Sequence, residues 1–129
     1  MHPFQRQENG LILIVAKIDS KYRLKLILDT GATHTTIDKK TIYLCGYRPN
    51  NILSHSKVET ANGLIEVDNF EANNLFALGI SKDNFKIQAY DFAEHGIYSD
   101  YNGVLGLDFL ENVKFCIDTK FNLITLHTT

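Results

Sequence analysis

The sequence predicts a mainly β fold with two short helices. Three features support this prediction: apolar and polar residues alternate over residues 22–28, several short apolar runs are separated by turn residues, and the Asn62-Gly63 pair is the preferred sequence of a two-residue hairpin turn. Many short strands of this kind pack as a closed barrel or as folded-over sheets. We therefore expect a closed or folded-over β architecture.

The composition is that of one ordinary domain. The chain has 129 residues, of which 44% are hydrophobic and 22% are charged, so we expect a single domain over residues 1–129. A formal net charge of -2 without a basic patch argues against nucleic acid and against a membrane surface as partners. The apolar run at residues 11–16 is too short to span a membrane and is followed by Lys17, so we expect a cytoplasmic protein.

The first half of the chain predicts a hairpin and a helix. Residues 10–18 form a near-continuous apolar run that is typical of a buried strand, and the alternating residues 22–28 follow after a turn at residues 19–21. Two strands joined by so short a turn indicate a hairpin. A short helix is then expected over residues 39–45, with Asp38 as its N-cap.

The second half predicts two more hairpins, two single strands and a second helix. The hairpins cover residues 57–67, with the tip at Asn62-Gly63, and residues 114–127, and the single strands cover residues 84–92 and 103–106. The second helix is expected to begin at Asp108, because Glu111 lies three positions later and completes the spacing of a capping box.

A lone carboxylate stands where the alternating strand over residues 22–28 ends. Asp29 is followed by Thr30, Gly31 and Ala32, small residues that let the backbone come close to a ligand or to a second chain. An Asp-Thr-Gly triplet is also an ordinary turn after a strand. The local sequence alone is compatible with both interpretations.

The other reactive residues predict neither a metal site nor a cofactor. The histidines have no zinc-ligand spacing, and neither a GxSxG motif nor a phosphate loop occurs. Cys45 and Cys116 stand far apart in apolar surroundings, so we expect buried free thiols. The aromatic residues of the second half are expected to pack in the core or beside a hairpin: Tyr90, Phe92, Tyr98 and Tyr101.

Three segments in this order resemble the retropepsin-like aspartic proteases, the single-domain family that includes retroviral proteases and their bacterial relatives. The segments are ILDTGATHTTID, TANGLIEV and GVLGLDFL, and the resemblance covers residues 11–126. In that family the first segment carries the catalytic Asp, the second forms a hairpin called the flap, and the third leads from a strand into a helix. The resemblance implies a closed acid-protease β-barrel with two short helices and a flap hairpin.

The resemblance also implies a role for each matching residue. Asp29 would be the catalytic carboxylate. The residues that would support it are Thr30, whose hydroxyl would donate to the backbone of a partner chain, Gly31, Ala32 and, packed behind the loop, Gly106. The residues that would contact substrate are Gly63 at the flap tip and three apolar pocket walls, Ile65, Val104 and Leu105.

The sequence departs from the retroviral pattern at two positions. Retroviral members carry an Arg after the glycine of the third segment and an Asp after the Ala of the first, and these residues pair near the dimer interface. Here the two positions hold Leu107 and Thr33. Asp108 either accepts a hydrogen bond from Thr35 or caps the second helix, and capping is our expectation.

One catalytic triplet per chain predicts a homodimer. Aspartic-protease chemistry needs two carboxyl groups that share a proton, and this chain supplies one Asp-Thr-Gly triplet. The predicted function is a homodimeric aspartic endopeptidase that cleaves an extended peptide or protein with an Asp-activated water. The alternative is a module of the same fold that binds peptide or assembles without cleaving, and the replaced Arg–Asp pair favours it.

Overall fold

The structure of the chain is a computed structural model, which describes residues 1–60 and 63–127. Asn62 of the predicted hairpin turn lies outside these residues. The strands within them are β1 (His2–Pro3), β2 (Gln5–Arg6), β3 (Ile12–Ile18), β4 (Tyr22–Leu28), β5 (Thr36–Asp38), β6 (Ser54–Thr60), β7 (Gly63–Ala77), β8 (Ile80–Tyr90), β9 (Gly103–Leu105), β10 (Lys114–Asp118) and β11 (Leu123–His127). The prediction of a mainly β fold is confirmed.

A closed barrel forms the centre of the molecule. Its strands follow the order β3, β4, β9, β5, β8 and β7, and β7 pairs again with β3 to complete the ring. The closing pairs include Ala16 with Ala77 and Ile18 with Leu75. Strand β2 extends the sheet beyond β3, and β6 extends it beyond β7. The predicted closed barrel is therefore confirmed.

The barrel is filled by alternate residues of its strands. In β4 the side chains of Leu24, Leu26 and Leu28 are buried, while Arg23 and Lys25 are exposed. Over residues 22–26 this is the period-two pattern of a strand with one face on the core and the other in solvent, whereas Ile27 is also buried, so the end of β4 is covered on both faces. The largest fully buried side chains include Phe70, Phe109, Ile18, Leu26, Ile37 and Ile42.

Strands β4 and β9 lie side by side and parallel, and this pairing places the candidate site. Leu28, the last residue of β4, pairs with Leu105, the last residue of β9. The chain segments that leave these two strands, beginning at Asp29 and at Gly106, therefore start from neighbouring points at one end of the barrel.

A long hairpin formed by β6 and β7 projects from the barrel wall. Its pairing runs from Ser54 and Asn69 at the root to Thr60 and Gly63 next to the tip. The lower part of β7 continues into the barrel, where it pairs with β8 as far as Ala77 and Ile80. The hairpin and the barrel wall thus share one continuous strand.

One of the two predicted helices is present in the described part of the chain. Helix α1 covers Lys39–Leu44, close to the predicted range. Asp38 stands at its N-cap position but makes no side-chain capping bond; its Oδ1 accepts from the Phe92 N–H at 3.1 Å. Residues 107–112 form a series of turns and no helix, so the second helix was wrongly predicted. Short 3-10 helices cover Pro49–Asn51 and Ala93–His95.

The two chain ends meet in a small second sheet. Strand β11 pairs with β10 on one side and with β1 on the other, which confirms the closing hairpin, whereas the N-terminal strands were not predicted. Cys45 is buried as expected, but Cys116 is exposed, because its neighbours Phe115 and Ile117 take the positions of β10 that pack on the core. None of the helices in residues 1–60 and 63–127 has the length and apolarity to cross a membrane.

Candidate active site

Asp29 lies in a loop that begins directly after β4, and its side chain is exposed. Its backbone N–H donates to the Leu105 carbonyl oxygen at 3.1 Å, which ties the loop to β9. One carboxylate oxygen, Oδ1, accepts from the Gly31 N–H at 2.8 Å. The other oxygen has no hydrogen-bond partner among the described residues. The carboxylate is thus oriented by one backbone donor and is open on its other side.

Gly31 keeps the space in front of this carboxylate free. A Cβ atom at Gly31 would lie 3.2 Å from Asp29 Oδ1, a contact tighter than nine in ten real Cβ contacts. Thr30, between the two residues, is exposed, and its hydroxyl makes no hydrogen bond within the described chain. The predicted supporting residues therefore surround Asp29, although Thr30 contributes no side-chain bond within one chain.

Thr35 and Asp108 fix the far end of the loop. The Thr35 side chain is fully buried, and its hydroxyl donates to Asp108 Oδ1 at 2.7 Å while it accepts from the Gly106 N–H at 3.1 Å. The Thr35 backbone N–H also donates to both oxygens of the same carboxylate, at 3.0 Å and 2.9 Å. Buried polar groups with all their partners are rigid, so this network holds the loop in one position.

Asp108 therefore has the role that we considered the less favoured alternative. It binds Thr35 across the fold, and its Oδ1 also accepts from the Phe109 N–H at 2.9 Å, but no helix follows for it to cap. The expectation of a helix cap was wrong. The positions that depart from the retroviral pattern lie nearby on the surface: Leu107 is 40% exposed, and Thr33 is exposed and contacts its neighbour His34.

Gly106 packs against the back of the Asp29 loop. A Cβ atom at this position would lie 2.8 Å from the His34 carbonyl carbon and 2.9 Å from the Ala32 carbonyl oxygen. Backbone atoms cannot yield as a flexible side chain can. The next residue, Leu107, donates its N–H to the same Ala32 oxygen at 2.8 Å. Only glycine fits here, which agrees with its predicted place behind the loop.

A cleft of about 520 Å³ opens in front of Asp29. Asp29, Gly31 and Ala32 line it from the loop, and Val58 and Thr60 line it from β6. The projecting hairpin therefore borders the same space as the carboxylate. A groove with one open side of this kind can receive an extended chain.

The predicted pocket walls do not all reach this cleft. Val104 lines it, but Leu105 is fully buried in the barrel core, because successive residues of a strand point to opposite faces. Leu105 as a pocket wall was wrong. Ile65 is buried on the hairpin and Gly63 is exposed beside its tip, and neither lines the cleft in the described part of the single chain.

Several cleft residues were not predicted as site residues. Thr36 and Gln88 line the cleft from β5 and β8, Tyr90 and Phe92 form an aromatic end, and Glu59 adds a carboxylate from β6. Burial raises the pKa of the Tyr90 hydroxyl, and the nearby Tyr101 and Asp38 add to the effect. Tyr98, in contrast to our expectation of packing, is 83% exposed. Strand β5 was itself unpredicted, and without its pairing no local signal places Thr36 or Gln88 beside Asp29.

A second charged group lies at the root of the β6–β7 hairpin. Asp68 is 6% exposed; its Oδ1 lies 2.7 Å from His55 Nδ1, and its Oδ2 lies 2.5 Å from Lys39 Nζ. This hydrogen bond to Asp68 raises the pKa of Lys39. We call these three residues the hairpin-root cluster. It links β6, β7 and α1, and both oxygens of its carboxylate are occupied.

The part of the chain that the structure describes holds no group of three or more His, Cys, Asp or Glu side chains that could bind a metal ion. The chemistry available at Asp29 is that of a carboxyl group: to accept a proton from water when ionised, or to donate one when protonated.

Comparison with known proteins agrees with this geometry. The family model for the gag-polyprotein putative aspartyl protease matches residues 14–112, well over half of the chain. The fold is similar to the crystal structure of a retropepsin-like aspartic protease from Rickettsia conorii, with 20% sequence identity, a TM-score of 0.65, and coverage of 90% of this chain and 83% of that chain. No curated protein matches the sequence. The chain belongs to the gag-polyprotein aspartyl protease family and has the retropepsin-like fold.

Proposed function

We propose that this chain is one half of a homodimeric aspartic endopeptidase, in which Asp29 of each protomer forms the catalytic pair. The observation that carries the proposal is the state of the Asp29 carboxylate. It is oriented by the Gly31 N–H, open on its other oxygen, and placed on the floor of a cleft beside a long hairpin. Membership of an aspartyl protease family supports the same chemistry.

Two carboxyl groups are needed because the reaction uses an acid and a base. When two carboxyl groups lie about 3 Å apart they share one proton, since both cannot ionise at low cost. The ionised member takes a proton from the attacking water, and the protonated member donates to the oxygen of the scissile carbonyl. The tetrahedral intermediate then collapses: the carboxyl group that took the proton from water gives it to the leaving nitrogen, the C–N bond breaks, and the other carboxylate takes back the hydroxyl proton.

The second carboxyl group comes from a second copy of the chain. The sequence contains one other Asp-Thr pair, Asp118-Thr119, but Lys120 follows it, and the Asp118 carboxylate accepts the N–H groups of Lys120 and Phe121 in the β10–β11 turn. The exposed Thr30 hydroxyl and the exposed Leu107 side chain next to the Asp29 loop suit contact with a partner protomer. A two-fold axis would bring the same loop of each chain together.

The substrate would be an extended peptide bound across the two half-clefts. An extended chain can form backbone hydrogen bonds with strand edges, while its alternate side chains enter pockets. The β6–β7 hairpin, with Gly63 beside its tip, would act as the flap that covers the peptide. Ala32 and Val104 would line the pockets next to the carboxylates.

The Asp29→Asn variant tests the proposal, and Asp118→Asn is its matched control. Both substitutions exchange one carboxylate for an amide in an Asp-Thr pair, but only the first removes an acid that can share a proton. We expect wild-type protein to cleave denatured protein substrates in a mildly acid buffer. Asp29→Asn should lose at least about 10³-fold in kcat/KM, and Asp118→Asn should retain the wild-type rate.

Sedimentation of both variants separates a lost carboxyl group from a lost dimer. The proposal requires wild type, Asp29→Asn and Asp118→Asn to form the same dimer. If wild type dimerises and binds peptide but cleaves none over a broad substrate set and pH range, the chain is a non-cleaving module. Equal cleavage by wild type and Asp29→Asn would exclude Asp29 as the catalytic residue.

A further inference from the structure

A row of four paired residues, three of them polar, crosses the barrel wall beside Asp29. The strand register pairs Val104 with Thr36, Thr36 with Gln88, and Gln88 with Asn69. Directly opposite residues of neighbouring strands share one face of a sheet. Val104, Thr36 and Gln88 all line the cleft, so the row begins close to the carboxylate and runs under the hairpin.

The two polar residues of this row that line the cleft, Thr36 and Gln88, have unused hydrogen-bonding capacity. The Gln88 side chain is partly buried and makes no hydrogen bond within the described residues. The Thr36 hydroxyl donates to the His34 carbonyl oxygen over a long 3.4 Å and retains its acceptor capacity. The next residue in the row differs, because the Asn69 amide donates to the Ser54 and Ser56 hydroxyls at 3.0 Å and 2.8 Å.

The hydrogen-bonding groups that Thr36 and Gln88 leave available affect which substrate side chains the cleft can bind. When a peptide covers the wall formed by Thr36 and Gln88, these groups lose contact with water. An apolar side chain would leave the Gln88 amide without a partner and the Thr36 hydroxyl with only its long bond to His34, which carries a desolvation cost. A side chain with both donor and acceptor groups would pair with them. An acidic side chain would lose hydration without an opposite charge in the pair, and the Glu59 carboxylate lines the same cleft, so such a side chain is disfavoured.

We propose that the Thr36–Gln88 wall selects an uncharged polar side chain of the substrate, a carboxamide or a hydroxyl, at one position on each side of the scissile bond. The selection rests on the proposed function, because it requires a peptide in this cleft. Ala32 and Val104 border the wall and limit the size of the side chain. The two-fold symmetry of the proposed dimer would repeat the preference on both sides.

Matched peptides test this selection. A set of peptides carries either Asn or Leu, side chains of similar size, at each position in turn around one cleavable bond. We expect the Asn member to be preferred by about tenfold or more in kcat/KM at one position on each side, and the other positions to show no such preference.

The double variant Thr36→Val/Gln88→Met should reverse this result. Both replacements keep the shape of the side chain and remove its hydrogen-bonding groups. We expect the Asn preference to fall below twofold or to become a Leu preference. Gln5→Met is the control, because Gln5 lies on β2 outside the cleft, and this variant should keep the wild-type preference.

Binding measurements separate this inference from the proposed function. The same peptide pairs, made with a non-cleavable bond at the centre, are titrated calorimetrically into wild type and into the double variant. Binding with an Asn preference but without cleavage would support the selection and defeat the endopeptidase. Cleavage with equal rates for Asn and Leu at every position would defeat the selection alone. An Asn preference that survives the double substitution would also overturn it, and so would the absence of both binding and cleavage.

Discussion

The Asp29 loop and the root of the β6–β7 hairpin each place a carboxylate beside the barrel, and the two carboxylates have opposite surroundings. Asp29 is exposed and accepts one hydrogen bond from the backbone of its own loop. Asp68 is 6% exposed and is held by His55 on one oxygen and by Lys39 on the other. The first carboxylate has one oxygen without a partner in the described part of the chain, whereas each oxygen of the second lies beside a basic nitrogen.

The comparison extends to Asp108, which stands behind the Asp29 loop. Its carboxylate accepts the backbone N–H and the hydroxyl of Thr35, a residue with no exposed surface. Two acids whose carboxylate oxygens all have partners thus contrast with an acid that has one oxygen without a partner among the described residues. Saturation indicates a carboxylate that stabilises the fold, and a free oxygen beside a cleft indicates one that is available for chemistry. The following predictions test this distinction in order of decreasing effect.

The largest loss of stability is expected from a substitution at Gly106, which packs against the Asp29 loop. Gly106→Ala should destabilise the protein by about 3 kcal/mol or more, because the new Cβ would meet the backbone of Ala32 and His34. Urea denaturation measures the change. Gly96→Ala is the control: Gly96 has φ 75° and open space around it, so it should cost about 1 kcal/mol from backbone strain alone. Equal losses for Gly106→Ala and Gly96→Ala would mean that the backbone of the Asp29 loop can move away from the new Cβ atom.

The second largest loss of stability is expected when the Asp108 carboxylate, which lies behind the Asp29 loop, is removed. Asp108→Ala leaves the buried N–H and hydroxyl of Thr35 without their acceptor, and we expect a loss of about 2–4 kcal/mol in the free energy of unfolding. Glu111→Ala, an exposed change in the same turn segment, should stay within about 0.5 kcal/mol of wild type. A similarly small effect of Asp108→Ala would show that Thr35 finds another partner.

The hairpin-root cluster should contribute less to the free energy of unfolding than Asp108 does, because a third of the Lys39 side chain is exposed to solvent. Lys39→Met should cost about 1–2 kcal/mol, since it removes one partner of the buried Asp68 carboxylate. The neighbouring Lys40 is the control: its Nζ lies 3.8 Å from Asp91, it is 65% exposed, and Lys40→Met should cost about 0.5 kcal/mol or less. If denaturation curves show equal losses of stability for Lys39→Met and Lys40→Met, the hairpin-root cluster makes no special contribution to stability.

The contribution of Lys39 should also depend on pH with a definite sign. Its hydrogen bond to Asp68 raises the pKa of Lys39 above the usual 10.5, so the folded protein holds this proton more tightly than the unfolded chain. The stability gap between wild type and Lys39→Met should therefore be complete below pH 10.5 and shrink as the pH rises above it. A gap that stays constant through strongly alkaline pH would show that the ion pair contributes nothing.

The smallest effect on stability is expected at Asp29 itself. Asp29→Asn should change the free energy of unfolding by about 0.5 kcal/mol or less, because the amide oxygen can still accept the Gly31 N–H and the side chain is exposed. Thermal and urea unfolding of this variant give the measurement. A large loss of stability would place Asp29 with Asp68 and Asp108 as a structural acid.

Sequence patterns predicted the parts of the molecule that depend on neighbours in the chain. The β3–β4 hairpin, helix α1 and the β10–β11 hairpin followed from alternation, capping residues and short turns. Asp29 itself was located by its place at the end of a strand and by the resemblance of the flanking segments.

Features that depend on distant pairing were missed or misjudged. Asp108 has the spacing of a helix cap, and only the approach of Thr35, far away in the chain, reveals its actual partner. Thr36 and Gln88 lie on strands that pair in parallel, and the face they share follows from the register and not from either segment alone. Leu105 was predicted as a pocket wall together with Val104, but adjacent residues of a strand face opposite ways, and Leu105 is fully buried in the core.

The Thr35 hydroxyl donates to Asp108 and accepts from Gly106, so the hydrogen bonds that hold the Asp29 loop lie within a single chain. A protomer would then meet its partner as a nearly rigid body, and little conformational search would follow the encounter. Dimerisation under the proposed function would fall in the range of about 10⁵–10⁷ M⁻¹s⁻¹ that is usual for preformed surfaces. Protein concentration, and not slow refolding of the loop, would then control how quickly separated protomers of the proposed enzyme gain activity.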